Sequence, residues 1–216
     1  MMDEKRALRA DVLKRRDALS LAQRQPRCAT ICAELSEILN EALAIYHNVS
    51  ADVHVCYHQP PFMLALYHAM KSEVDLASFT EAAYCKNVTI CFPCMTKAQD
   101  SPEPKSYMAM REVPHAHYEN NSVPFLTDPL KSFCVDDPIL KEFPLVDASL
   151  FDMVVVPVVA FDNENNRIGY GGGNYDRFLN AICDSTLVVG VAFDEQRVAA
   201  VPCEPHDLAL PQIIVG

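Results

Sequence analysis

The chain has 216 residues, enough for one domain with a single sizeable core and too few for two. Hydrophobic residues make up 50% and charged residues 22%, which excludes both a disordered chain and a fibrous one. The net charge of −11 disfavours non-specific binding to nucleic acid or to an anionic membrane. Leu8, Val12 and Leu19 recur near a 3.6-residue period and predict a first helix. That helix is basic: the first 27 residues hold eight Lys or Arg and four acids, which leaves −15 for the rest of the chain. On its own it reads more simply as a solvated, salt-bridged face than as an anion site. It has no apolar segment of a secretory signal, so the expected location is the cytoplasm. Ser20 and Gln23 have the spacing of a capping box that opens a second helix. Its stripe, Ile31, Leu35, Ile38, Leu39, Ala42 and Ile45, steps by three and four and completes a helical N-terminal part over 3–46.

Residues 47–61 lose the period and read as a loop, with a short strand over Val53–Tyr57 as an option. Beyond them, Phe62–Tyr67, Val88–Phe92 and Tyr107–Val113 read as strands and 76–86 as a helix. Residues 114–150 carry five prolines and read as a surface loop with short turns. Met153–Ala160 and Leu187–Phe193 are apolar on both faces, as strands covered on both sides must be. The apolar run Met153–Phe161 is nine residues long, far below the ~20 needed to span a bilayer. Asp162–Arg167 reads as a polar loop, 174–184 as a helix and Ile213–Val215 as an edge strand. This alternation predicts an α/β fold over 1–216, three-layered α/β/α with a mostly parallel sheet.

Nine cysteines, an odd number, fit reduced thiols better than a disulfide framework. Cys91-Phe-Pro-Cys94 has CxxC spacing, but it lacks a second pair for zinc and ends a strand instead of starting a helix, so buried structural thiols are expected. His115-Ala-His117 falls in a predicted loop, and neither HExxH nor GxSxG occurs.

Glycine is the anomaly. There are six, where average usage would give about fifteen, and Gly169, Gly171, Gly172 and Gly173 sit within five residues. Bare backbone N–H groups leading into a helix suit phosphate, whereas a flexible loop or a tight packing point would need no ligand. GxxxxGK[ST] is absent, and GxGxxG would need glycine where the chain has Asn174. Asp194, about twenty residues on as a ribose-binding acid would be, keeps a nicotinamide site open. Asp176, on the first turn of the predicted helix, is equally readable as a Mg²⁺ ligand or as a helix N-terminal charge. Asp207, after Pro205 and His206, is a cap by default.

The stretch Asp152-Met-Val-Val-Val-Pro-Val-Val-Ala-Phe-Asp162, followed by Asn166-Arg-Ile-Gly-Tyr-Gly-Gly-Gly-Asn-Tyr-Asp-Arg-Phe-Leu179, resembles the signature of the 5-formyltetrahydrofolate cyclo-ligases, or methenyltetrahydrofolate synthetases. Lys5-Arg-Ala-Leu-Arg9, Ala69-Met-Lys-Ser-Glu-Val-Asp75, Val188-Val-Gly-Val-Ala-Phe-Asp194 and Pro202-Cys-Glu-Pro-His-Asp207 resemble further blocks of that family. The resemblance implies an ATP- and Mg²⁺-dependent closure of 5-formyltetrahydrofolate to 5,10-methenyltetrahydrofolate, with no nucleic-acid or membrane partner and a monomer expected. It implies Lys5 and Arg9 on the ATP phosphates and the run Arg167, Ile168, Gly169, Tyr170, Gly171, Gly172, Gly173, Asn174 and Tyr175 around the nucleotide. It places His68, Glu73, Tyr170 and Asn174 on the folate side and Asp176 and Asp207 on the metal. Asn174 stands where the family usually has an aromatic, and a nucleotide-binding accessory or regulatory protein without cyclo-ligase activity is the alternative.

Overall fold

The computed structural model describes residues 2–51, 60–97, 106–204 and 207–216. Two helices open the chain, α1 (Met2–Asp17) and α2 (Leu21–Ala51). The break between them is a capping box: Ser20 N donates to Gln23 Oε1 at 2.9 Å and Gln23 N to Ser20 Oγ at 3.3 Å. Residues 47–51 extend α2 and are not a loop; the optional strand at 53–57 lies outside the described residues. Ile31, Leu35 and Leu39 are fully buried, but Ile45 is 65% exposed. The stripe continues instead through Leu43 and Tyr46, and Tyr46 packs edge-on to Phe62 and donates to Pro60 O.

A mixed, mostly parallel sheet follows. Its strands are β1 (Met63–Ala65), β2 (Thr89–Lys97), β3 (Tyr107–Glu112), β4 (Phe133–Cys134), β5 (Leu145–Val146), β6 (Met153–Pro157), β9 (Leu187–Ala192) and β10 (Gln212–Val215), while β7 (Ala160–Phe161) and β8 (Arg167–Ile168) form a separate hairpin. The main order is β10-β9-β6-β1-β2-β3-β5, with β4 continuing beside β2. Neighbours from β10 to β2 are parallel, and β3 is antiparallel to both β2 and β5. Alternate residues divide between two cores, as the two-residue period of a strand requires. Leu64, Ile90, Phe92, Met153, Val155, Val189 and Val191 face α2 and α3 (Ala77–Tyr84). Ala65, Cys91, Val154, Val156, Val188 and Ala192 face Phe178 and Leu179 of α6 (Asn174–Leu179).

Cys91 and Cys94, three apart on β2, therefore fall in opposite cores and cannot share a metal; burial pushes both thiols up. The two short helices α4 (His115–Glu119) and α5 (Pro124–Thr127) occupy part of the proline-rich segment, so His115 and His117 are helical and not in a loop. The other departures are of length. β2 runs five residues past Phe92, and α6 stops at Leu179 instead of 184.

The long apolar run divides after Pro157, and the chain leaves the sheet for the β7–β8 hairpin. Gln196 supports the buried carbonyls there, its Nε2 donating to Val158 O at 2.5 Å and Val159 O at 3.1 Å. Asp162 pins the hairpin turn: it accepts from the backbone N–H groups of Glu164 at 3.0 Å, Asn166 at 3.1 Å and Val201 at 2.9 Å. Burial would raise its pKa, but these bonds prevail and hold the carboxyl below the usual range. Asp162→Ala is expected to destabilise the protein by about 2–4 kcal/mol, since it leaves the buried Val201 N–H and two partly buried N–H groups unpaired. A urea unfolding curve shifted by less than about 0.5 kcal/mol would show that the turn does not need this carboxylate. Because the folded pKa is depressed, Asp162's contribution is present above the ordinary aspartate value and is lost as pH falls through the folded one.

Candidate active site

β1 and β6 are adjacent parallel strands whose chains leave in opposite directions, β1 toward β2 and β6 toward β9. The crevice at the carboxyl ends of such a pair is where open α/β sheets bind ligands. The segment after β1 brings Tyr67, His68, Ser72 and Glu73 to this place, and the segment after β6 brings the hairpin and the glycine loop.

Helix α1 crosses both segments. At 100° per residue, Lys5, Arg9, Val12 and Arg16 share an arc of about 60°, and Val12 packs on Ala160, Ile168 and Val201 of the hairpin region. Arg9 Nε donates to Gly169 O at 2.8 Å. Its guanidinium lies over Gly171, where a Cβ would come within 3.2 Å of Arg9 Nη2 and where φ is +98°, so glycine is required twice over. Gly173, at φ +62°, is the residue before α6. The N–H groups of Gly171, Gly172 and Gly173 find no acceptor among the described residues. The sequence pattern would assign part of the loop's positive field to a helix dipole, but α6 has only six residues. The loop's own N–H groups and Arg9 supply the positive field instead. Asn174 is half-buried: its Oδ1 accepts from Arg177 Nη2 at 2.6 Å, and the same nitrogen holds Gly172 O at 2.9 Å. The amide thus ties the loop together at the position that the resemblance marks as usually aromatic.

The carboxylates are held by cations. Arg167, nearly buried, pairs with Asp176 at 2.6 Å. Lys5 pairs with Asp207 at 2.5 Å and Glu204 at 3.2 Å. Lys5 stands one helical turn from Arg9, so α1 links Glu204 and Asp207 to the glycine loop. Asp176 and Asp207 offer hard oxygen donors beside a basic, donor-rich loop, the set that suits Mg²⁺ carried by a phosphate ligand. Among the described residues one cluster of three ligand atoms lies within 4.8 Å, Glu81, His115 and Glu119; it includes neither aspartate, and Glu81 and Glu119 line the cavity beside Glu73. Asp194 pairs with exposed Arg197 at 3.2 Å.

Glu73 joins the loop to a cavity of about 780 Å³, within the range of small-ligand sites. Tyr67, His68, Glu73, Tyr118 and Thr127 are among the residues that line it. The Glu73 carboxylate, 6% exposed, accepts from Met70 N at 2.7 Å and lies near the Tyr170 hydroxyl. Burial raises its pKa, and these donors together with Arg16 offset only part of the rise. Tyr170, pushed up to about 12 by burial and by Glu73, keeps its proton to donate. Next to it, the buried Tyr175 hydroxyl has no partner among the described residues and is pushed up by burial and by Glu73. Ile168 serves the hairpin core.

Arg16 was not legible as a site residue. It is 2% exposed, and its Nη2 donates to Tyr170 Oη at 2.9 Å while its Nε donates to Ser72 Oγ at 3.0 Å. In the sequence it is one of eight basic residues among the first 27, and only its burial sets it apart.

The family model for 5-formyltetrahydrofolate cyclo-ligase matches residues 1–216. The chain belongs to the 5-formyltetrahydrofolate cyclo-ligase family. It is 29% identical to the 5-formyltetrahydrofolate cyclo-ligase of Haemophilus influenzae over 71% of this chain and 75% of that protein. It is 38% identical to the Escherichia coli K12 protein of the same name over 37% of this chain and 44% of that one. Two solved structures share the fold. A 5,10-methenyltetrahydrofolate synthetase from Mycoplasma pneumoniae superposes with a TM-score of 0.63 at 22% identity, covering 98% of each chain. The Aquifex aeolicus 5,10-methenyltetrahydrofolate synthetase gives 0.65 at 23%, covering 98% of this chain and 89% of that one. Membership weighs against the nicotinamide reading. No helix among the described residues is long and apolar enough to cross a membrane.

Proposed function

We propose that the protein closes 5-formyltetrahydrofolate to 5,10-methenyltetrahydrofolate at the expense of ATP. The observation that carries this reading is the closeness of Tyr170, within the glycine loop, to Glu73 on the wall of the cavity. It brings a phosphate-suited backbone and a ligand-sized cavity to one point. A formamide oxygen is a poor leaving group, and transfer of the terminal phosphoryl group of ATP to it makes it a good one. N10 of the same substrate then attacks the formyl carbon, and phosphate departs. The protein's contribution is positioning and charge stabilisation, with no covalent nucleophile.

Lys5, Arg9 and the free N–H groups of the glycine loop bind the triphosphate, with Arg167 and Tyr175 behind them. Glu73 accepts hydrogen bonds from the pterin N–H donors, with His68 on the same wall and Asn174 at the loop end. Asp176 and Asp207 would hold Mg²⁺, which neutralises phosphate charge when bound. The test is direct: protein, ATP, Mg²⁺ and 5-formyltetrahydrofolate should develop the near-ultraviolet absorbance of the methenyl product, with none in the absence of ATP. Folded protein that takes up nucleotide calorimetrically but makes no product would favour the accessory-protein reading.

A further inference from the structure

Arg16 is a buried cation beside the site that the reaction as described leaves without a task. Its side chain is 3% exposed, and its ion-pair partner among the described residues, Asp17, stands 3.9 Å from Nε and is itself 55% exposed. Burying a cation costs several kcal/mol unless strong hydrogen bonds repay it, and a leucine would hold α1 against the sheet without that cost. The bonds that repay it go to two different segments. Nε donates to Ser72, the residue before Glu73, and Nη2 donates to Tyr170, between the two glycines that Arg9 touches. Ser72 Oγ in turn donates to Asp17, which fixes its orientation. The guanidinium carbon also stands 5.8 Å from the centre of the Tyr170 ring. A planar fork can serve two acceptors at once in fixed directions, which a lysine ammonium cannot do from one point.

We propose that Arg16 is a positioning residue that holds the Ser72–Glu73 segment and Tyr170 in one frame, so that the terminal phosphate and the formyl oxygen meet in reactive register. This inference rests on the cyclo-ligase reading above. Arg16 touches neither substrate and acts through Tyr170 and Glu73. A misplacement of about 1 Å between reacting groups can cost on the order of 100-fold in rate.

The experiment compares Arg16→Met, Arg16→Lys, Tyr170→Phe and the double variant Arg16→Met/Tyr170→Phe with the wild type. The calorimetric stoichiometry of ADP binding corrects each rate for the competent fraction. The expected result is a kcat about 100-fold lower in Arg16→Met, with both KM values within about threefold of wild type, the pattern of an interaction used in the transition state. Arg16→Lys should recover only part of the loss, and the double variant should be no slower than the slower single one. Multiplying losses, or full activity in Arg16→Lys, would overturn the proposal. Hydrogen exchange provides a readout that needs no turnover: in Arg16→Met, amides of 70–73 and 169–173 should exchange faster than in the wild type. Unchanged exchange in both segments would also overturn it. If the wild type itself makes no product, the cyclo-ligase reading falls, and the exchange arm alone decides whether Arg16 ties the two segments.

Discussion

Asp176→Asn is expected to lower methenyltetrahydrofolate formation by about 10³-fold or more, since a metal's charge stabilisation is worth several kcal/mol and each 1.36 kcal/mol is tenfold. The asparagine keeps the shape of the side chain and can still accept from Arg167, whose Nη2 stands 2.6 Å from Asp176 Oδ1. It removes the negative charge that two cations would share, Mg²⁺ and Arg167. Because the Arg167 side chain is 4% exposed, losing its counter-charge also costs stability. The ceiling is about 3–5 kcal/mol for breaking a buried pair, and less here because Asp176 is 28% exposed. A Mg²⁺ titration of Asp176→Glu separates the two roles. A metal ligand moves the Mg²⁺ concentration that gives half-maximal rate, whereas a partner of Arg167 alone leaves it in place. An Asp176→Asn enzyme that turns over at the wild-type rate would remove the aspartate from the site.

Glu73→Gln should lower kcat/KM for the folate by about 10- to 100-fold while changing the KM for ATP little, the size of one hydrogen bond to a charged group. The pH profile gives a second and sharper check. Burial raises the Glu73 pKa above 4.5, so the carboxylate takes up a proton at a higher pH than an exposed glutamate does. The acid limb of kcat/KM, which reports the free enzyme, should therefore lie above 4.5 and vanish in Glu73→Gln. For stability the sign is opposite to that of Asp162. The native state binds this proton more readily than the unfolded chain, so the penalty of an ionised Glu73 is present above the folded pKa and is relieved as pH falls toward the unfolded one. An acid limb that persists unchanged in Glu73→Gln would assign the titration to another group.

How far each feature could be read follows from the range of the interaction that makes it. The capping box joins residues three apart, and both of its bonds form. The two-faced strands were legible because a sheet covered on both sides must be apolar on both. Pro157 sits within the longest such run, yet the fold back into a hairpin depends on Gln196 and Asp162 meeting carbonyl and N–H groups far along the chain. Ile45 satisfied the helical period and still faces solvent, because whether a stripe position is covered depends on what lies opposite it. The CxxC pair looked like one unit in sequence, and strand geometry alone puts its two members in different cores.

For the site, residue type and order determined the phosphate-suited loop. Few glycines elsewhere and four together mark where the backbone must be bare, and Arg9 lying over Gly171 supplies the steric reason. Membership of the family was likewise legible in the order of short blocks. What only the tertiary structure decided is which charges meet. Lys5 finds Asp207, Arg9 finds Gly169, and Arg16 finds Ser72 and Tyr170 at sequence separations of 202, 160, 56 and 154. Those meetings are set by the order β9-β6-β1-β2 and by α1 lying across the crevice between β6 and β1. A periodic pattern says which face of a helix is buried, but only the packed neighbour determines whether a cation on that face is a solvated charge or the tie between two binding segments.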